Sequence, residues 1–266
     1  MLIDVHAHFY HDRTPRADWQ AVNASRFRAG ERMGVTIHIA SVLGSWGATS
    51  PTYFPSPADL DYANQWLLEL QHGNPSRVRG YVTVNPNFQE HALDRIDHYL
   101  SRGMVGIKLA ASRRATDALL DPIARAAARH GVPLLHHVWQ HRGGDRPGQE
   151  ASDAAELAEL AERHPDVTFI LAHIAGGGDW RHTLPVIGEI PNLVVDLSGS
   201  GIDGGMLEAC LAAVGSDRLL WGADLTLDTG WAKIRYLRHL LADDDWQGVC
   251  WRNAARLFSV ASDEAS

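Results

Sequence analysis

The sequence predicts a single (β/α)8 barrel of the TIM type, α/β in class, and three observations carry that prediction. Apolar, β-branched runs alternate with helix-periodic runs along the whole chain. Eight strand-like runs can be counted, near 2–9, 35–42, 78–85, 103–109, 132–138, 167–174, 192–198 and 218–224, the number that closes a barrel around a core of side chains. The 266 residues also fit the length, about 250, that this architecture takes as one domain.

The intervening helices carry start and stop signals. Ser56-Pro57-Ala58-Asp59 reads as a capping box with proline at the first helical position, and Gly73 closes that helix. Asp121-Pro122 opens a helix that runs through His130 and stops at Gly131, while Ser152 or Asp153 opens one from Ala154 to His164 before Pro165. Further helices are expected over about 204–214, over 232–241 and from about Trp246 to Phe258. Short connections between alternating elements imply parallel strands with right-handed crossovers. The rival, an open doubly wound sheet, lacks its Gly-x-Gly-x-x-Gly after the first strand.

No linker or low-complexity segment divides the chain. The barrel is expected to span residues 1–259, leaving 260–266 as a short flexible C-terminal tail. A net charge of −8 and a pI near 6.0, without a basic stripe, exclude a nucleic-acid footprint. Two cysteines, Cys210 and Cys250, sit in apolar helical segments, so a disulfide scaffold is not expected. The first strand starts at residue 2 and no 18-residue apolar run occurs, which predicts a cytoplasmic protein without signal peptide or membrane span.

The chemistry gathers at strand ends. His6 and His8, one residue apart in the first strand, point the same way and can chelate one ion. In a parallel barrel all the carboxyl ends surround one mouth. That brings Lys108 from strand four, His137 from strand five, His173 from strand six and Asp224 from strand eight to the same rim.

At this point the chain resembles the amidohydrolase superfamily, within it the group related to aminocarboxymuconate semialdehyde decarboxylase. The matching stretches are Ile3-Asp4-Val5-His6-Ala7-His8, Gly106-Ile107-Lys108-Leu109, Gly131 to His137, Leu171 to Gly177, Leu219 to Asp224 and Asn253 to Phe258. They span nearly the full chain in order. The resemblance implies a metal-dependent barrel that performs hydrolysis or, in this group, often decarboxylation. Asp224 matches the family's last ligand or base, although an aspartate there also suits a helix N-cap. His137 is preferred to His136 because adjacent strand residues face opposite sides and the motif ends at the second. His136 is then structural, packed against a helix.

The expected metal set is therefore His6, His8, His137 and Asp224, holding one divalent ion per chain, with Zn2+ as the expected ion. Asp224 and His173 are the expected catalytic groups. Lys108 and His173 are the candidates for a second metal or for the substrate, since in binuclear relatives a strand-four lysine is carboxylated and bridges two ions; an unmodified Lys108 beside one metal is preferred here. Arg113, Trp139 and Trp180 are candidate substrate contacts, the arginine for a carboxylate and the indoles for a ring. The function expected first is hydrolysis of a small amide, lactone, ester or cyclic imide by metal-activated water. The alternative is non-oxidative decarboxylation of an aromatic or unsaturated carboxylic acid. The partner is a small-molecule substrate, and family resemblance suggests a homodimer or larger.

Overall fold

The computed structural model describes residues 1–42, 49–138, 148–174, 180–201 and 203–260. Eight strands are present: β1 (Leu2–Phe9), β2 (Val35–Val42), β3 (Val78–Val84), β4 (Gly106–Leu109), β5 (Leu134–His137), β6 (Phe169–Ala172), β7 (Leu193–Asp196) and β8 (Leu219–Leu220). Each pairs in parallel with the next in sequence. The seam between β8 and β1 closes through Val5 N–H donating to Trp221 O (3.0 Å) and Asp224 N–H donating to His6 O (2.7 Å). The expected (β/α)8 barrel is thus the observed one, with later strands shorter than the apolar runs that announce them.

Helices α1 (Trp19–Met33), α2 (Pro57–Gly73), α3 (Gln89–Leu100), α4 (Asp121–His130), α5 (Ala154–Arg163), α6 (Trp180–Ile187), α7 (Met206–Val214) and α8 (Leu227–Leu240) follow β1 to β8 in turn. At α2 only half of the expected box forms. Ser56 Oγ accepts from Asp59 N–H (3.2 Å), but the Asp59 carboxylate instead takes the hydroxyls of Thr49 and Ser50 (2.7 and 2.5 Å). The complete box is at α5, where Asp153 and Glu156 satisfy each other's backbone N–H groups. Gly131 ends α4 at φ 64°, a left-handed cap that other residues adopt at a cost. The single helix expected from Trp246 to Phe258 is instead α9 (Asp243–Gln247), a π turn (Gly248–Arg252) and α10 (Asn253–Leu257). In that arrangement Asn253 Nδ2 donates to the Ser216 and Leu219 carbonyls (2.8 and 2.9 Å), tying the last helix to the start of β8.

Apolar burial falls into two compartments. One lies between strands and helices. The other fills the closed end of the barrel with Ile3, Val5, Ile37, Ile39, Tyr81, Leu135, Ile170 and Leu220, plugged from below by Ala254, Phe258 and Val260. Val260 is therefore buried core rather than the first residue of a tail; residues 261–266 lie outside the described residues. Among the described residues no helix is long and apolar enough to cross a membrane. Both cysteines are buried and unpaired.

Candidate metal centre

Strict alternation along β1 would send Ile3, Val5 and Ala7 inward and both histidines outward. The register between Asp4 and Ala7 shifts, however. Ile3 and Val5 pack inside the barrel, while Ala7 and Phe9 pack outside against the helix layer. This irregularity turns His6 and His8 into the barrel above the apolar plug, the kind of re-aiming that β-bulges supply beside active sites. Their rings meet edge-on, 4.9 Å apart.

Asp224 joins them from the end of β8. A donor atom from each of His6, His8 and Asp224 lies within 4.8 Å of the other two, and His8 Nε2 is 3.1 Å from Asp224 Oδ1. The opposite ring nitrogens are already engaged: His6 Nδ1 with Asp196 Oδ2 (2.5 Å) and Ser198 Oγ (3.0 Å), and His8 Nδ1 with the Ser41 carbonyl (3.2 Å). Such outer partners fix a ligand histidine's tautomer and leave Nε2 for a cation. Two imidazoles and a carboxylate with this support fit a divalent transition metal.

Lys108, His137 and His173 complete the rim. Alternation in β4 and β5 turns Lys108 and His137 inward and His136 outward. Lys108 Nζ is 3.0 Å from His6 Nε2, and burial lowers its ammonium to about 8, against the pull of Asp224 and Asp196. His137 faces His173 edge-on at 5.1 Å, and His173 Nε2 stands 3.8 Å from Asp224 Oδ2. Burial, reinforced by neighbouring cations, holds the His6 and His137 imidazoles well below their ordinary range; burial also lowers His8 and His173. Neutral rings are the form that binds metal. Asp224 is lowered too, which for a carboxyl favours the charged form. Burial alone would raise it, but the His8 hydrogen bond and the surrounding imidazoles hold its carboxyl far below the usual range. The helix-cap reading of Asp224 does not hold, since α8 starts after Thr226, without a side-chain cap.

Other sequence expectations land elsewhere. His136 is fully buried with Nδ1 on the His137 carbonyl (2.9 Å) and Nε2 near Ser152 Oγ (3.3 Å), the structural role expected. Arg113 is engaged by neighbouring loop side chains. Its guanidinium binds Asn87 Oδ1 (2.6 Å) and pairs with Asp117 and Glu150 (3.4 and 3.7 Å), so a loop network satisfies it. Trp180 also departs from expectation. It opens α6 with Nε1 donating to Asp203 Oδ2 (2.8 Å) and Arg181 stacked on its ring at 4.1 Å, a contact of the helix layer. Trp139 lies outside the described residues.

Several residues at the site went unread in the sequence. Asp196 ends β7 fully buried against His6, and burial raises its carboxyl to about 6 although Ser198 opposes the shift. The signal was present: an acid ending a strand in Leu193-Val194-Val195-Asp196 has the same place as Asp224. Gly222 allows the close approach of β8, because a Cβ there would collide with the Asp196 carboxylate and sit 3.0 Å from His6 Cβ. Lys233, fully buried in α8, donates to the Leu197 carbonyl (3.0 Å) and to that of Gly199, gripping Ser198 from both sides.

The amidohydrolase family model matches residues 3–260. The chain belongs to the amidohydrolase family. Among curated proteins none matches it. Solved structures similar to this amidohydrolase include 5-carboxyvanillate decarboxylase from Sphingomonas paucimobilis (16% identity, TM-score 0.73, 98% of this chain and 99% of that one). Another is 2,6-dihydroxybenzoate decarboxylase from Rhizobium (18%, TM-score 0.73, 97% and 98%). A third, dihydroxybenzoic acid decarboxylase from Polaromonas with bound manganese and the inhibitor 2-nitroresorcinol, aligns at 17% with TM-score 0.71 over 99% and 98%. At these identities the likeness establishes the shared barrel.

Proposed function

We propose that this amidohydrolase is a metal-dependent, non-oxidative decarboxylase of an aromatic or unsaturated carboxylic acid. The observation that carries the reading is the buried cluster of Lys108, His137 and His173 beside the convergent atoms of His6, His8 and Asp224. Hydrolysis by metal-activated water, the first expectation from the sequence, asks the Asp224 carboxylate to take the water proton. In the structure Asp224 lies between His8 and His173 (3.1 and 3.8 Å), placed as a ligand and a counter-ion to the rim. Beside it, Lys108 and His173 offer buried polar groups in a water-poor site, which suits an anionic substrate. The decarboxylases among the similar structures support the same reading.

His6, His8 and Asp224 would hold the ion, with His137 as fourth donor, and a divalent metal there supplies Lewis-acid stabilisation of substrate oxygens. The similar structures with bound manganese support manganese in place of zinc. Lys108, unmodified, receives an anionic oxygen of the substrate. Decarboxylation requires a proton on the carbon that loses carbon dioxide. His173 is assigned that delivery, because its Nε2 stands at the rim 3.8 Å from Asp224 Oδ2 and the ring is not needed to hold the ion. Asp196 and Ser198 keep the His6 ring fixed throughout.

The test is a parallel screen of manganese-loaded enzyme against hydroxybenzoates and unsaturated acids on one side and lactones, amides and imides on the other, read by product mass. Loss of carbon dioxide from an acid is expected. Activity confined to hydrolysable substrates, with solvent oxygen in the product, would replace this reading by hydrolysis.

A further inference from the structure

Behind β1, between that strand and α1, lies a buried ion pair with no part in the chemistry described so far. Asp4 is fully buried and Arg26, from α1, is 8% exposed. Arg26 Nη2 donates to Asp4 Oδ2 at 2.7 Å, and His38 Nδ1 lies 3.3 Å from the same oxygen. The other contacts of the pair end on the backbone of the candidate metal centre. Asp4 Oδ1 accepts from the N–H of His6 (3.2 Å) and the N–H of Ala223 (2.9 Å). Arg26 Nη1 donates to the carbonyl of Asp224 (2.7 Å).

Asp224 itself has φ 53°, in the left-handed region that a non-glycine residue enters only when its surroundings impose it. Its own N–H is taken by His6 O and its carbonyl by Arg26, while the N–H before it is taken by Asp4. The peptides on both sides of the strained residue are thereby fixed. One carboxylate oxygen also grips His6 where the β1 register shifts, so a single pair ties together the two strands that contribute donors.

We propose that Asp4 and Arg26 are positioning residues: they hold Asp224 in its left-handed conformation and the β1 irregularity in place, so that the donor atoms of His6, His8 and Asp224 converge before any ion arrives. The proposal rests on reading Asp224 as a metal ligand. A buried ion pair is a weak source of stability because both charges must be desolvated. Its retention here is explained by where its remaining hydrogen bonds go. Disordered donors would have to be organised by the ion at the expense of its binding energy, as with any site that is not pre-formed.

The test uses the full chain and Mn2+ alone, with free Mn2+ counted by electron paramagnetic resonance and unfolding of the metal-free protein followed by heat. The double variant Asp4→Asn/Arg26→Gln removes both charges together, so no unpaired charge is left buried. The new amide at position 4 can still accept from the N–H groups of His6 and Ala223. The shorter amide at position 26 cannot serve both that partner and the Asp224 carbonyl. Mn2+ affinity of the double variant is expected to fall by about 10–100-fold, the range for partners that orient metal ligands, while metal-free unfolding stays close to wild type. Arg26→Lys, which keeps the pair with Asp4 and loses the second donor, is expected to fall in between. Wild-type affinity in both variants would overturn the proposal, as would affinity losses that merely track a loss of folded protein. A wild-type chain that binds no Mn2+ would overturn the metal-site reading beneath it, an outcome separate from the other two.

Discussion

The lower half of β1, Leu2 to Val5, and its upper half, His6 to Phe9, sit in the same strand with opposite physical purposes. Below, Ile3 and Val5 interlock with Ile37, Ile39, Tyr81, Leu135 and Ile170 over the plug of Phe258 and Val260. Above, His6 and His8 enter the same interior but meet Lys108, Asp196 and Asp224. The lower half gains free energy by removing apolar surface from water. The upper half loses some, because it buries groups that prefer to be charged. The register shift between Asp4 and Ala7 lets one strand do both, which teaches that the closed end stabilises the barrel so that the open end can hold its donors desolvated.

The sharpest way to break this division is a pair of substitutions across it. His6→Ala should abolish metal retention and turnover while leaving metal-free stability unchanged or slightly raised. Phe258→Ala, which removes the ring packed 5.7 Å from Tyr81, should cost about 3–5 kcal/mol of stability and leave Mn2+ affinity intact. Denaturant unfolding and metal titration on the two variants check both halves. A Phe258→Ala protein with impaired metal binding but full stability would dissolve the distinction.

A smaller effect is expected at Gly222, which lies where β8 approaches both His6 and Asp196. Gly222→Ala forces the Asp196 carboxylate aside, an overpacking that costs about 1–3 kcal/mol. It should also weaken metal binding, because His6 loses its orienting partner. Isothermal titration with Mn2+ reads the second consequence independently of the first.

A further probe is pH. Burial lowers His136 to about 4, so between about 6.5 and 4 the unfolded chain takes up a proton that the native one refuses. Its contribution to stability is complete above about 6.5 and is lost as the pH falls toward 4, by on the order of 3 kcal/mol at about 1.4 kcal/mol per pKa unit. Metal-free protein should therefore destabilise on acidification. In His136→Gln, measured by urea unfolding at several pH values, that fall should be shallower.

How much of this was legible in the sequence differs between the same two regions. The alternation of β-branched and helical runs announced all eight strands and the barrel. His6, His8, Lys108, His137, His173 and Asp224 were legible too, because a strand end in a parallel barrel specifies a place in space. What the pattern could not carry was partnership. Nothing in Leu193 to Asp196 says that its acid meets a histidine 190 residues earlier in the chain. Asp4 reads as a polar break in an apolar strand, and Arg26 as one more charge on a helix, until the fold brings the first beside Ala223 and the second beside Asp224. Arg113 and Trp180 show the converse limit: proximity to a strand end does not fix which partners a loop or helix side chain takes.

The proposed site for one divalent ion per chain is built by the β1 register shift and the end of β8 at the open end of the barrel. The direct measurement is elemental analysis of protein purified without chelator or metal-affinity tag, for the wild type and the His6→Ala/His8→Ala double variant. One transition-metal ion per wild-type chain and none in the folded double variant is the expected result. Equal metal content in the two proteins, or none in the wild type even after incubation with Mn2+ and Zn2+, would contradict the account.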